Sequence, residues 1–154
     1  MEIKKKMSKI EKRHYIINKV KNEIHHLKKD DLIWICERYL EEKIKRSYTK
    51  DDLLGIIHKR CKRKQSLYIK IYDLYKYDNF GMNIWETCEM LQINSYKRKE
   101  LQKYYILRVA YTYETRAYKQ YMDVPVFDTE CVLDLLGQDL DALLKDARKQ
   151  ARKN

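Results

Sequence analysis

Three glycines and one proline are spread over 154 residues, and this scarcity of turn formers and helix breakers constrains the chain more than any other feature. Many-stranded folds need tight turns at short intervals, and such turns draw on Gly and Pro. A chain that lacks them is expected to run as helices joined by short polar connections. The predicted fold class is mainly α: a helical N-terminal half, then a second half of paired helices, a small two-stranded β hairpin and a closing helix. Hydrophobic residues make up 44% and charged residues 37%, a balance that excludes a disordered polyelectrolyte.

In the first half, Met7, Ile10, Ile17 and Ile24 recur at three- and four-residue steps, with His14 and Lys21 in the gaps, and Ile16, Val20 and Leu27 broaden the stripe. The spacing predicts one amphipathic helix over residues 2–27 with Lys and Arg on its solvent side. Its apolar face needs a cover, either the rest of the chain or a second copy through a heptad-like seam; the oligomeric state stays open. A helix is expected over Asp31–Glu42, burying Leu32, Ile35, Cys36, Tyr39 and Leu40. Thr49 with Asp52 three residues on reads as a capping box opening the next helix, with Leu53, Leu54, Ile56 and Ile57 inside. Lys43 to Tyr48 is a polar extended connection, and the spacing of Leu67, Ile71, Tyr72 and Leu74 predicts a connecting helix.

The run L-K-K-D-D-L-I-W-I-C from Leu27 to Cys36, followed by S-Y-T-K-D-D-L-L-G-I-I from Ser47 to Ile57, resembles the helix–extended-loop–helix modules of the SAP, LEM and Rho-factor N-terminal group. The glycine often found in their loop is missing. The resemblance implies DNA or RNA binding, or in some modules protein binding.

Asp78, Asn79, Phe80 and Gly81 form the first clear break, so the domains are expected at 1–77 and 78–154, with the hinge near 77–82. Asn83 then caps a helix over Ile84–Leu91 with Glu86 at N3, a turn spans Gln92 to Asn94, and Ser95 caps a second helix to about Lys103. The sequence I-W-E-T-C-E-M-L-Q-I-N-S resembles the start of MerR- and excisionase-type winged helix-turn-helix domains, with Cys88 at the small-residue position, Ile93 as the apolar turn anchor, and Gln92 where many members have glycine. β-Branched and aromatic residues over Ile106–Tyr113, with Ala117–Met122 returning, supply the predicted wing. Asp123 to Asp128 is expected to leave the wing in extended form because of Pro125. Thr129 is expected to cap a last helix that kinks at Gly137.

No chemistry-bearing motif is present: no glycine-rich phosphate loop, no nucleophile elbow, no His-Glu-x-x-His. His58 and Cys61 stand three apart without a second pair to complete a metal site, and the four cysteines, Cys36, Cys61, Cys88 and Cys131, show no C-x-x-C unit. The expectation is a non-catalytic protein with no cofactor, no metal and no disulfide framework. The basic start lacks the apolar run of a secretory signal and no stretch reaches membrane-spanning length, so a soluble intracellular protein, cytoplasmic or nucleoid-associated, is expected.

The formal net charge is +11, and residues 1–66 hold 20 basic against 10 acidic residues. Such an excess favours polyanions through phosphate neutralisation. The candidate nucleic-acid contacts are Lys43, Lys45, Arg46 and Lys50 in the first extended loop; Lys62, Arg63 and Lys64, with Lys59 and Arg60, at the end of the next helix; Lys97, Arg98 and Lys99 in the second helix of the helix-turn-helix; and Arg108, Arg116 and Lys119 in the wing, among Tyr111, Tyr113 and Tyr118. The leading expectation is a nucleic-acid-binding protein, with DNA favoured over RNA, of regulatory or mobile-element type. The alternative is a protein-interaction module, such as a phage-encoded inhibitor of a host nucleic-acid enzyme, working through its tyrosines. Fourteen tyrosines serve either role, since Tyr buries large area at low entropic cost.

Overall fold

A computed structural model describes residues 5–153. Those residues form eight α-helices and one two-stranded antiparallel sheet, so the chain is mainly α with a small β hairpin. It divides into two compact units. One is Arg13–Tyr75; the other is discontinuous and joins residues 5–12 to the chain from Lys76 onward. Residues 5–12, expected with the helical half, side with the other unit instead. Lys12 Nζ pairs there with the Asp134 carboxylate, and the backbone at Lys6 lies against Gly137.

Helix α1 runs Lys9–Glu23, shorter than the predicted 2–27, of which residues 2–4 lie outside the described residues. It begins at a capping box: Glu11 N donates to Ser8 Oγ at 3.2 Å and Ser8 N to Glu11 Oε1 at 3.3 Å. Ile10 is exposed, whereas Ile16, Ile17, Val20, Ile24 and Leu27 are buried. A 3-10 turn at Ile24–His26 follows. Helix α2, Lys29–Trp34, then widens into a π turn over Ile35–Tyr39 in which Leu40 N donates to Ile35 O at 3.1 Å. The extra residue in that turn rotates Tyr39 off the inward face, so Tyr39 is exposed while Leu32, Ile35, Cys36 and Leu40 are buried.

Helix α3, Lys50–Arg63, opens on the predicted Thr49–Asp52 box. Leu53, Ile57 and Cys61 point inward at four-residue steps, and Leu54 and Ile56 are half-buried at its flanks. Arg60 Nη1 ties α3 to the end of the π turn through Leu40 O at 3.0 Å and Glu42 Oε1 at 2.7 Å. Helix α4, Ser66–Tyr75, buries Tyr68, Ile71 and Tyr72 and completes this unit. The Tyr68 hydroxyl lies 2.7 Å from His58 Nδ1.

In the other unit, α5 spans Ile84–Leu91 and α6 spans Ser95–Lys103. Asn83 caps α5 by accepting from Glu86 N at 2.8 Å. The cap of α6 is Asn94, accepting from Lys97 N at 2.8 Å, rather than the expected Ser95. Strands β1, Val109–Ala117, and β2, Gln120–Phe127, pair antiparallel with a bulge between Val109 and Tyr111. Residues 123–127 do not leave the hairpin as expected. They pair with β1, and Pro125 stands opposite Thr112, a position open to proline because each strand of a two-stranded sheet keeps one free edge. Met82, just ahead of α5, clamps the hairpin base through two backbone bonds to Phe127, of 2.7 and 2.8 Å.

The single closing helix of the prediction is two helices, α7 over Thr129–Leu135 and α8 over Leu140–Lys153. They are separated at Gly137, whose φ is +79°. Asp128, not Thr129, caps α7 by accepting from Cys131 N at 3.1 Å; Thr129 is buried and its hydroxyl donates to Phe80 O at 2.6 Å. Leu101, Leu107, Phe127, Val132, Leu133 and Leu144 are the main buried apolar residues here.

Candidate nucleic-acid interface

Helix α6 carries the three cations expected to read nucleic acid, and the fold gives each a different task. Lys97 pairs with Asp141 at the start of α8, 2.6 Å away. Arg98 is only 8% exposed. Lys99 faces solvent. The remaining anchor of this helix is Glu100, paired with Arg148 of α8 at 3.2 Å. Opposite the buried side, Tyr96, Lys99 and Lys103 occupy one exposed stripe at three- and four-residue spacing, Tyr96 being 70% exposed. The stripe holds no carboxylate. Tyr96 and Lys103 were not among the sequence candidates; their spacing from Lys99 is the signal that marks them.

The turn before α6 is held by Gln92, which caps α5 in the left-handed region at φ 54°, ψ 50°. A residue with a Cβ is penalised there, glycine is not. The chain therefore turns as tightly as a glycine would allow, at a cost in backbone energy.

Arg98 is the unusual residue. Its Nη1 donates to Gln102 Oε1 at 2.9 Å, but its Nε–H is buried without a partner, and it forms no ion pair among the described residues. A buried donor left unsatisfied costs about 1–3 kcal/mol, more when the group is charged. Beside it runs a groove of about 550 Å³ whose walls include Arg98, Lys99, Lys103 and Arg108, with Leu107 and the exposed ring of Tyr105. No carboxylate lines it.

Arg108 is held by two backbone contacts and one side-chain contact. Its N–H donates to Cys131 Sγ at 3.4 Å, its carbonyl accepts from Asp128 N at 2.9 Å, and its Nε lies 3.3 Å from Asp128 Oδ2. Cys131 in turn donates to Ile106 O, and burial pushes its thiol pKa up. The cysteine thus serves as a half-buried linker between α7 and the start of β1.

Farther along the hairpin, Arg116 and Lys119 are exposed at its tip. Arg116 stands across from Tyr121 with its guanidinium 5.9 Å from the ring centroid. The two turn residues, Tyr118 and Lys119, both have positive φ, 51° and 68°, the pattern of a two-residue type I′ turn.

In the Arg13–Tyr75 unit, Lys43, Lys45 and Arg46 lie on the connection between the π turn and α3, Lys50 is in the first turn of α3, and Lys62, Arg63 and Lys64 are exposed at its end. Lys59, Arg60 and Arg63 share a groove of about 410 Å³ with Glu42 and Ile56, but Arg60 is committed to Glu42. His58, expected at most as one half of a metal pair, bonds to Tyr68, and its pKa is lowered by burial and by nearby Lys21. Among the described residues, no group of three or more His, Cys, Asp and Glu is placed to hold a metal ion, and no helix is long and apolar enough to cross a membrane. Compared with known protein families, with curated proteins and with solved structures, the chain matches none.

Proposed function

We propose that the protein binds nucleic acid, DNA in preference to RNA, without catalysis, as a regulator or a mobile-element protein. The observation that carries this reading is the carboxylate-free stripe of Tyr96, Lys99 and Lys103 on the open side of α6, in the unit that also presents Arg108, Arg116 and Lys119 on the hairpin. A helix of this kind supplies cations for phosphates and a planar ring for base contact. The cations Lys43, Lys45, Arg46, Lys62, Arg63 and Lys64 of the other unit add sequence-independent affinity. The order helix, tight turn, helix, hairpin, helix supports a winged helix-turn-helix role for the second unit, and the capped α3 after a basic loop supports a SAP-like role for the first.

Fluorescence anisotropy against labelled duplex DNA, single-stranded DNA and structured RNA tests it. Submicromolar binding near ~50 mM salt is expected, falling about tenfold by ~200 mM for every two phosphates bound, since the log–log slope is about −0.9 per phosphate. No binding at the lower salt rejects the reading. A second reading, docking on a partner protein, is supported by Trp85, 71% exposed on α5, and by the exposed tyrosines of the hairpin tip. Tight capture of a protein partner that is insensitive to salt would favour it.

A further inference from the structure

We propose that the groove between the last turns of α6 and the start of β1 is a phosphate-binding site, with Arg98 as its central donor and Lys99, Lys103 and Arg108 around it. The inference rests on the nucleic-acid reading only for the source of the phosphate, a strand backbone. Four cations line a groove of about 550 Å³ with no carboxylate among its walls. Lys97 of α6 and Arg148 of α8 each have a carboxylate partner; Lys99 and Lys103 have solvent instead, whereas Arg98, the most buried cation of α6, has neither. A guanidinium presents its donors as a planar fork suited to an oxyanion. A phosphate in the groove supplies the counter-charge that the fold withholds from Arg98 and an acceptor beyond Gln102 Oε1.

The site lies at the C-terminal end of α6, where the main chain offers carbonyls and the helix macrodipole opposes an anion. Binding therefore falls to side chains, unlike the amide cradles of helix N-termini. Arg108 contributes least, because Asp128 already holds its Nε at 3.3 Å. Arg98, Lys99 and Lys103 carry most of the attraction.

The test follows the Arg98 Nε–H resonance in ¹⁵N–¹H spectra of the full chain, identified by its loss in Arg98→Lys. Inorganic phosphate and then an unlabelled DNA duplex are added, with chloride at matched ionic strength as the control. The resonance is expected to move and saturate with phosphate and not with chloride. Lys99→Gln with Lys103→Gln alters two exposed residues, so the thermal melt should be unchanged. That double variant should weaken phosphate binding about tenfold, the size of one charge-assisted hydrogen bond. It should also make the salt slope for DNA shallower by about 1 for each phosphate that is no longer neutralised.

If Arg98→Lys fails to fold, the double variant still decides. Movement with DNA alone supports the site and assigns the phosphate to the strand. Movement with inorganic phosphate in a protein that binds no DNA keeps the site and removes the nucleic-acid reading. Salt-steep DNA binding that leaves the Arg98 resonance still and is indifferent to the double variant overturns the site and leaves that reading intact.

Discussion

Single residues set the local pKa values and backbone costs from which stability can be forecast. The Asp52 carboxylate accepts from the Thr49 backbone N–H and from its side chain, which holds the Asp52 pKa below the ordinary 3.8. Its folded pKa is lower than its unfolded one, so the stabilisation is present above about pH 4 and is lost as the pH falls through the folded value. Asp52→Asn should therefore lose more stability at pH 6 than at pH 3, measured by urea unfolding; an equal loss at both would contradict this. Gln92 is a second case. Gln92→Gly removes the Cβ from a left-handed position and should raise stability by up to about 1 kcal/mol, the penalty less the added chain entropy of glycine. Gly137→Ala should do the reverse, by about 2 kcal/mol, because φ is +79° and the new Cβ would stand 2.5 Å from Lys6 N. Burial pushes the Cys36 and Cys61 thiols up to about 11, so neither should react with a thiol reagent at neutral pH until the Arg13–Tyr75 unit opens.

At the scale of elements, what the sequence makes legible is whatever a local rule decides. Thr49 with Asp52 and Asn83 with Glu86 mark helix starts because a cap needs only a side-chain oxygen and an amide two or three residues on. Ser8 and Glu11 bear the same signature, but an apolar stripe continuing through Met7 and Ile10 conceals it. Helix spans are legible for α4 and α5 because their apolar spacing is regular. The π turn at Ile35–Tyr39, the pairing of Pro125 inside β2 and the burial of Arg98 are not, since each depends on what packs from elsewhere in the chain. Of the cations expected on α6, spacing alone does not tell Lys97, held by Asp141, from Lys99, which faces solvent. The hairpin turn gives a prediction of its own. Tyr118→Asn with Lys119→Gly puts preferred residues at two positive-φ positions and should stabilise the second unit by about 1–2 kcal/mol. If Lys119 meets a phosphate, the same variant should also make the salt slope for DNA shallower by about 1, so melting and binding would move in opposite directions.

For the molecule as a whole, charge and chain path matter more than any one interaction. The Arg13–Tyr75 unit holds 16 basic against 9 acidic residues, and most of its exposed cations lie on the loop before α3 and at the end of that helix. Lys62, Arg63 and Lys64 changed together to Ala should weaken binding to all DNA sequences alike and lower the salt slope by as much as about 3; a loss confined to one sequence would assign base contacts to this unit. The path of the chain has a different consequence. Because residues 5–12 belong with the residues after Lys76, the second unit is split around the first. On the ribosome the intervening unit emerges before the rest of the split one, while residues 5–12 wait for partners such as Asp134, 122 residues beyond Lys12, for roughly 6–24 s at about 5–20 residues per second. During that interval residues 5–12 are open to chaperones or proteases, and the pace of translation sets how long the split unit stays open.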